Sequence, residues 1–243
     1  MSADFTLAEL CAVACAEIWR DDGEILASPM GLIPALGAKL ARATFAPDLL
    51  LTDGVARFVN GRGEVESWIP YRAIFDLVWS GRRHVMMGAS QIDRFGNQNI
   101  SCIGDFHHPK VQLIGVRGAP GNTIHHPTSY WVPNHSAKIF VPKVDVVCGI
   151  GYDRARSLGA SGRWVDIRRV VSNKCVFDFE TPDRSMRLRS LHRGVTTEEV
   201  AALTGFPLTL PAAVPITRVP TAEELRLIRD VLDPKGVARS ELK

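Results

Sequence analysis

Residues 84–99 read His84-Val-Met-Met-Gly-Ala-Ser-Gln-Ile-Asp-Arg-Phe-Gly-Asn-Gln-Asn99, and residues 109–122 read Pro109-Lys-Val-Gln-Leu-Ile-Gly-Val-Arg-Gly-Ala-Pro-Gly-Asn122. The first opens on a short apolar run, His84–Gly88, bounded by turn residues, which is the pattern of a buried strand. Asp93–Asn97 then turns the chain. The second opens on another strand-like run, Lys110–Ile114, that feeds the glycine loop Gly115–Gly121. In open α/β sheets, ligands collect in the loops beyond the carboxyl ends of strands. Both the amide-rich turn and the glycine loop are therefore expected where a site would be.

The flanks extend this reading. Thr6-Leu-Ala-Glu9 is a capping box, followed by Leu7, Leu10, Cys11, Ala14 and Ile18 on one helical stripe. A second helix is expected from Met30 to about Arg42. Asp48–Thr52 reads as a buried strand ending in the turn Asp53-Gly54. Residues 62–83 are mixed, with Trp68, Tyr71, Phe75 and Trp79 supplying apolar area. Further strands are expected at Ile139–Val141, Val144–Cys148, Arg169–Val171, Val176–Phe179 and Met186–Leu191. Thr196-x-x-Glu199 and Thr221-x-x-Glu224 open closing helices, and Pro207–Pro220 between them reads as an extended surface connection. The pattern predicts a single α/β domain over residues 1–243, with a mixed, largely parallel sheet flanked by helices.

The 243 residues suffice for a sizeable core. A net charge of +3 is too small to argue for nucleic acid or a membrane surface. The five cysteines, at 11, 15, 102, 148 and 175, show no metal-type spacing and read as small buried thiols. The N-terminus has no basic segment leading into an apolar core. A cytoplasmic location is expected.

In the glycine loop, glycines let backbone amides approach a ligand closely, whether an oxyanion or a phosphate. Gln91, Asn97, Gln98 and Asn99 offer amide donors and acceptors that suit a carbonyl or a thioester, although Asx turns would use Asp93 and Asn97 internally. Adjacent histidines such as His107-His108 and His125-His126 make poor chelates, and no metal site is expected. His125 or His126 could line the same pocket as the loop. Tyr130-Trp131 fits core or interface.

The block from Gly88 to Gly121 resembles the β subunits of family I coenzyme A transferases, the glutaconate-transferase-like branch especially. The likeness runs through Gly88–Asn99, Pro109–Ala119 and Val144–Tyr152. It implies a coenzyme A transferase-like fold, an α2β2 assembly with an α subunit, and a site at the α/β interface. In such transferases a β-subunit glutamate, followed by a small residue and a glycine, carries coenzyme A as a thioester. Here Thr52-Asp53-Gly54 stands at that place, with Thr52 at the glutamate position. A threonine cannot form the glutamyl thioester, and Asp53 is one position off and one methylene short. A second departure is Arg117 inside the loop, a cation able to meet a carboxylate or a phosphate.

Glutamate lost with the scaffold kept resembles the subgroup of ring-opening hydrolases in bacterial steroid degradation. The resemblance implies hydrolytic carbon–carbon cleavage of a cyclic β-keto acyl-coenzyme A, with the base supplied by a glutamate of the α subunit. No cofactor is expected beyond coenzyme A as part of the substrate. The β-chain contacts would come from Gly115, Arg117, Gly118, Ala119, Gln91, Asn97, Asn99 and Asn122. Two alternatives are a true transferase, using Asp53 or a partner carboxylate, and a non-catalytic sensing or structural relative.

Overall fold

The computed structural model describes residues 4–52, 57–60, 62, 64–70, 73, 76 and 81–242. Its centre is a nine-stranded sheet built from β1 (Leu26–Pro29), β2 (Leu50–Thr52), β3 (Arg57–Val59), β4 (Val65–Trp68), β5 (Arg83–Gly88), β10 (Thr128–Val132), β11 (Ile167–Ser172), β12 (Cys175–Asp178) and β13 (Arg187–Leu191). The strand order is β13-β12-β11-β10-β5-β1-β2-β3-β4. The inner strands β11, β10, β5, β1 and β2 are parallel, and the pairs at both edges are antiparallel. Parallel strands buried on both faces need continuous apolar runs, which is why Val85-Met-Met87 and Tyr130-Trp-Val132 occupy the middle.

One face packs against helix α1 (Leu7–Ala16), helix α2 (Leu32–Thr44) and the C-terminal segment. The single stripe expected on α1 is too narrow: Ala8 to Ala16 are all buried, whereas Leu7 is 44% exposed. Its alanines and cysteines let it lie between the sheet and α2. Gly37 of α2 makes the approach possible, since a Cβ there would stand 2.8 Å from Ala12 O and Cys15 Cβ. The N-terminus of α2 starts two residues later than expected, and the Glu241 carboxylate accepts from Ile33 N at 2.8 Å.

The other face carries the second apolar cluster, with Val85, Met87, Tyr130, Phe140, Phe177 and Phe179. Over it lie two small hairpins, β6 (Gln91–Ile92) with β7 (Gln98–Asn99) and β8 (Cys102–Gly104) with β9 (Pro109–Gln112), and then helix α3 (Ala119–His125). Three expectations change here. The run 110–114 belongs to an exposed hairpin outside the main sheet, so the glycine loop does not follow a strand of that sheet. Residues 139–141 and 144–148 are not strands, and join the β6–β7 hairpin through the isolated bridges Ile92↔Phe140 and, at the end of the second run, Gln98↔Gly149. Single backbone bonds such as Val141 N to Ile92 O, at 3.0 Å, and Cys148 N to Gln98 O, at 2.8 Å, are joined by side-chain bonds, as when Asp145 N donates to Gln91 Oε1 at 2.9 Å. Trp68, on the edge strand β4, is 66% exposed rather than core. Tyr71, Phe75, Trp79 and the turn residues Asp53 and Gly54 lie outside the described residues.

The boxes at Thr6 and Thr221 close in both directions, whereas at Thr196 only the bond from Glu199 N to the threonine side chain forms. The proline-rich connection runs along β13 through the bridges Arg187↔Thr209 and Leu191↔Ile216. It thereby covers an edge that would otherwise be open for pairing.

Candidate functional site

The carboxyl ends of β1, β2 and β5 bring Pro29, Thr52 and Gly88 to one rim of the sheet. Strand register decides what lies below it. Leu26 pairs with Leu50 and with Arg83, so Ser28, Thr52 and Arg83 project to the same face. Thr52 Oγ1 lies 3.3 Å from Ser28 Oγ, which accepts from Arg83 Nε at 2.8 Å. Arg83 Nη1 in turn donates to Asn122 Oδ1 of α3 at 3.0 Å. A buried polar chain thus joins Thr52 to the helix that follows the glycine loop. Ser28 and Arg83 were not among the expected site residues. The one available signal was a polar side chain in phase with buried strand positions.

Arg83 is 7% exposed, and burial pushes its guanidinium down to about 10. No carboxylate among the described residues pairs with it; both hydrogen-bond partners are neutral. A buried charge without a counter-ion is costly.

The glycine loop has two backbone features. Gly115 and Arg117 both adopt positive φ, 81° and 50°. A left-handed arginine is uncommon, and such strain concentrates at functional positions. Among the described residues, neither the Arg117 nor the Gly118 amide has a backbone acceptor. They form a pair of donors at the exposed mouth of the loop, the equipment of an oxyanion site. Gly118 itself needs no special φ, and a Cβ there would meet only Asn122 Nδ2, at 3.8 Å. Around Gly88 a Cβ would meet nothing within 4 Å. The fold does not require these two glycines to be bare, whereas close approach of a ligand would. Ala119, the first residue of α3, is buried.

The amide row is used inside the chain. Gln91 donates to Asp145 Oδ2 at 3.0 Å and accepts from Asn99 Nδ2 at 2.8 Å. Asn97 donates to Asp93 and Asp153 and accepts from Gly151 N at 2.7 Å. Asn99 also donates to Cys102 O and accepts from Ser101 N. All three are buried. They stitch the β6–β7 hairpin to residues 145–153, and the structure leaves none of them presented to a ligand. Gln98 Nε2 donates to Gly88 O at 2.7 Å, which holds the end of β5 in place.

His125 and His126 stand at the far end of α3 from the glycine loop. They line a separate cavity of about 240 Å³ with Arg82, Arg83 and Arg168. On the opposite face of β5, His84 Nδ1 lies 2.6 Å from Asp22 Oδ2, and its Nε2 lies 3.0 Å from Ser129 Oγ. Arg168 completes the pairing of Asp22. The order serine–histidine–aspartate is that of a nucleophilic triad. Here, however, Ser129 and His84 are both fully buried, so no acyl group reaches the hydroxyl. Burial holds His84 below its ordinary value, against the pull of Asp22. No group of three potential metal ligands occurs among the described residues, and no described helix is long and apolar enough to cross a membrane. All five cysteines are buried and free.

Comparison with known proteins fits this arrangement. A family model described as Coenzyme A transferase matches residues 73–203. The cholesterol ring-cleaving hydrolase IpdB subunit of Rhodococcus jostii RHA1 is 51% identical, over 98% of this chain and 97% of that protein. The crystal structure of Rhodococcus jostii RHA1 IpdAB superposes with a TM-score of 0.93 at 51% identity, covering 99% of this chain and 100% of that one. Glutaconate coenzyme A-transferase from Acidaminococcus fermentans gives a TM-score of 0.82 at 25% identity, over 96% and 97% of the two chains. With a sheet of this topology, a glycine loop leading into a helix that meets Met87 near the end of β5, and a match across most of its length, the chain belongs to the coenzyme A transferase family.

Proposed function

We propose that this chain is the β subunit of a hydrolase that works with an α subunit, as an α2β2 assembly. It opens a ring of a cyclic β-keto acyl-coenzyme A in bacterial steroid catabolism. The observation that carries this reading is Thr52. The residue at the end of β2, where family transferases use a glutamate, is a buried hydroxyl bonded into the Ser28–Arg83–Asn122 chain. A nucleophilic carboxylate is absent there, while the loop suited to an oxyanion is kept. The half-identical IpdB subunit supports the same reading.

The chemistry follows from those two facts. Water, deprotonated by a base on the α subunit, adds to the ring ketone, and the charge on the carbonyl oxygen falls to the Arg117 and Gly118 amides. The ring carbon–carbon bond then breaks, its electron pair moves to the carbon beside the thioester, and the resulting enolate takes up a proton. One water is consumed, the former ring ketone becomes a carboxyl group that stays attached to the opened product, and the thioester survives. Coenzyme A enters as part of the substrate, and no resident cofactor is required.

The test is to produce the chain with its α partner and supply coenzyme A thioesters of bicyclic β-keto acids. A product heavier by one water with its thioester intact is expected. A borohydride-trappable enzyme thioester, or coenzyme A exchange with a free acid, would establish a transferase instead. No turnover of any acyl-coenzyme A would leave a non-catalytic relative.

A further inference from the structure

The mechanism above uses the loop amides but leaves unexplained the buried guanidinium beneath them. Arg83 touches Ser28 and Asn122 through two of its nitrogens, at 2.8 and 3.0 Å, and Ser28 Oγ lies 3.3 Å from Thr52 Oγ1. The charge therefore sits one residue away from both Thr52 and the helical turn that begins at Gly118. On its other side, the groups lining the amino-end cavity are Arg82, Arg168, His125, His126, Asp21 and Asp22. Asp22 is already held by His84 and Arg168. Across the sheet face, Ser28, Thr52 and Asn122 are neutral. Arg83 itself lines that cavity, and no carboxylate among the described residues bonds to it; toward Thr52 and the start of α3 its charge meets only the neutral Ser28 and Asn122.

We infer that Arg83 is a positioning residue whose uncompensated charge favours the anionic form of the bound acyl group, acting through Ser28 and Asn122 rather than by contact. A carboxylate at position 52 would stand beside Ser28 and cancel this field. With Thr52 there, the field is left for the oxyanion and the enolate that ring hydrolysis generates. Unit charges several ångströms apart in a partly buried site interact strongly enough to change an ionisation equilibrium by more than tenfold. This inference rests on the proposed hydrolase reading for its purpose, but the test separates the two.

The experiment uses the complex with the α subunit and two variants, Arg83→Met and Asn122→Asp. The first removes the charge. The second keeps an acceptor for Arg83 and places a counter-ion against it. Both should lower kcat for ring hydrolysis by about 10- to 100-fold with KM changed by less than about threefold. Arg83→Lys, which keeps the charge, should restore much of the rate. A second readout needs no ring substrate: acetoacetyl-coenzyme A bound to the complex loses its C2 proton to solvent as pH rises, and the enolate is followed by ultraviolet absorbance. The midpoint should rise by about one unit or more in both variants and return toward wild type in Arg83→Lys.

Normal rates and an unmoved midpoint in both variants would overturn the proposal. So would a loss in Arg83→Met alone, because a bonding scaffold predicts that Asn122→Asp is harmless. If Arg83→Met fails to assemble, Asn122→Asp decides by itself. A wild-type complex that opens no ring removes the proposed function, while the enolate midpoint still reports on Arg83.

Discussion

Arg83 and His84 are neighbours on β5 and face opposite sides of one sheet. On the His84 side each charge is answered: Asp22 meets both His84 and Arg168, and Ser129 takes the remaining ring nitrogen. On the Arg83 side a buried guanidinium meets, among the described residues, a hydroxyl and an amide oxygen and no carboxylate. The first arrangement ties α1's following turn to β5 and β11 and belongs to the architecture. The second retains a desolvation cost that nothing within the described chain offsets. Buried polar groups kept at a cost to stability are candidates for function, and the unbalanced network is the one that borders the glycine loop.

The sharpest way to break the comparison is Asp22→Ala. It strands a buried imidazole and leaves Arg168 with Asp166 alone, and should destabilise the protein by about 3–5 kcal/mol in denaturant unfolding. A loss below about 1 kcal/mol would mean that the balanced face does not carry the architecture. Gly118→Val makes the converse case. Its Cβ meets nothing closer than Asn122 Nδ2 at 3.8 Å, so the fold should tolerate it. Ring hydrolysis should fall by about 100-fold or more as the loop amides are covered, with an unchanged unfolding midpoint. Near-normal rates would remove the loop from the mechanism.

Acid sharpens the contrast through two histidines buried without a carboxylate partner among the described residues. Burial pushes His135 down to about 3 and His192 to about 4, each bonded to hydroxyl groups. Their unfolded forms take up protons first. Stability should therefore be full above the ordinary histidine value and fall with pH toward the folded values, by about 2 kcal/mol each at pH 5. Asp22, lowered in the folded state, loses its contribution in the same direction at lower pH. Unfolding midpoints that stay level from pH 7 to 5 would contradict this. The smallest effect is expected from Thr52→Glu. A carboxylate beside Ser28 should slow ring hydrolysis by roughly tenfold without creating acetate-dependent coenzyme A exchange, because the substrate pocket is unchanged. Measurable exchange would show that position 52 alone separates the two chemistries.

Much of the scaffold was legible from local pattern. The runs at 84–88 and 50–52, the late strands and the capping boxes appear within a residue or two of their expected places, because strand burial and helix capping are set by nearby side chains. Residues 139–148 misled because an apolar run looks alike whether its backbone joins a continuous ladder or makes only isolated bridges and side-chain bonds. The same ambiguity governs the site. Gln91, Asn97 and Asn99 have the composition of a ligand wall, but partners at 145, 151 and 153, far along the chain, absorb the hydrogen bonds of Gln91 and Asn97, and Asn99 is spent on Gln91, Ser101 and Cys102.

The sequence by itself determined the family, the α/β class and the loss of the carboxylate at Thr52, since each is written in contiguous residues. Only the tertiary structure decided which polar groups are spent and which remain available. That depends on strand register and on what packs over each face. Register set Arg83 beside Ser28 and Asn122, with no counter-ion among the described residues, and set His84, one residue on, beside Asp22.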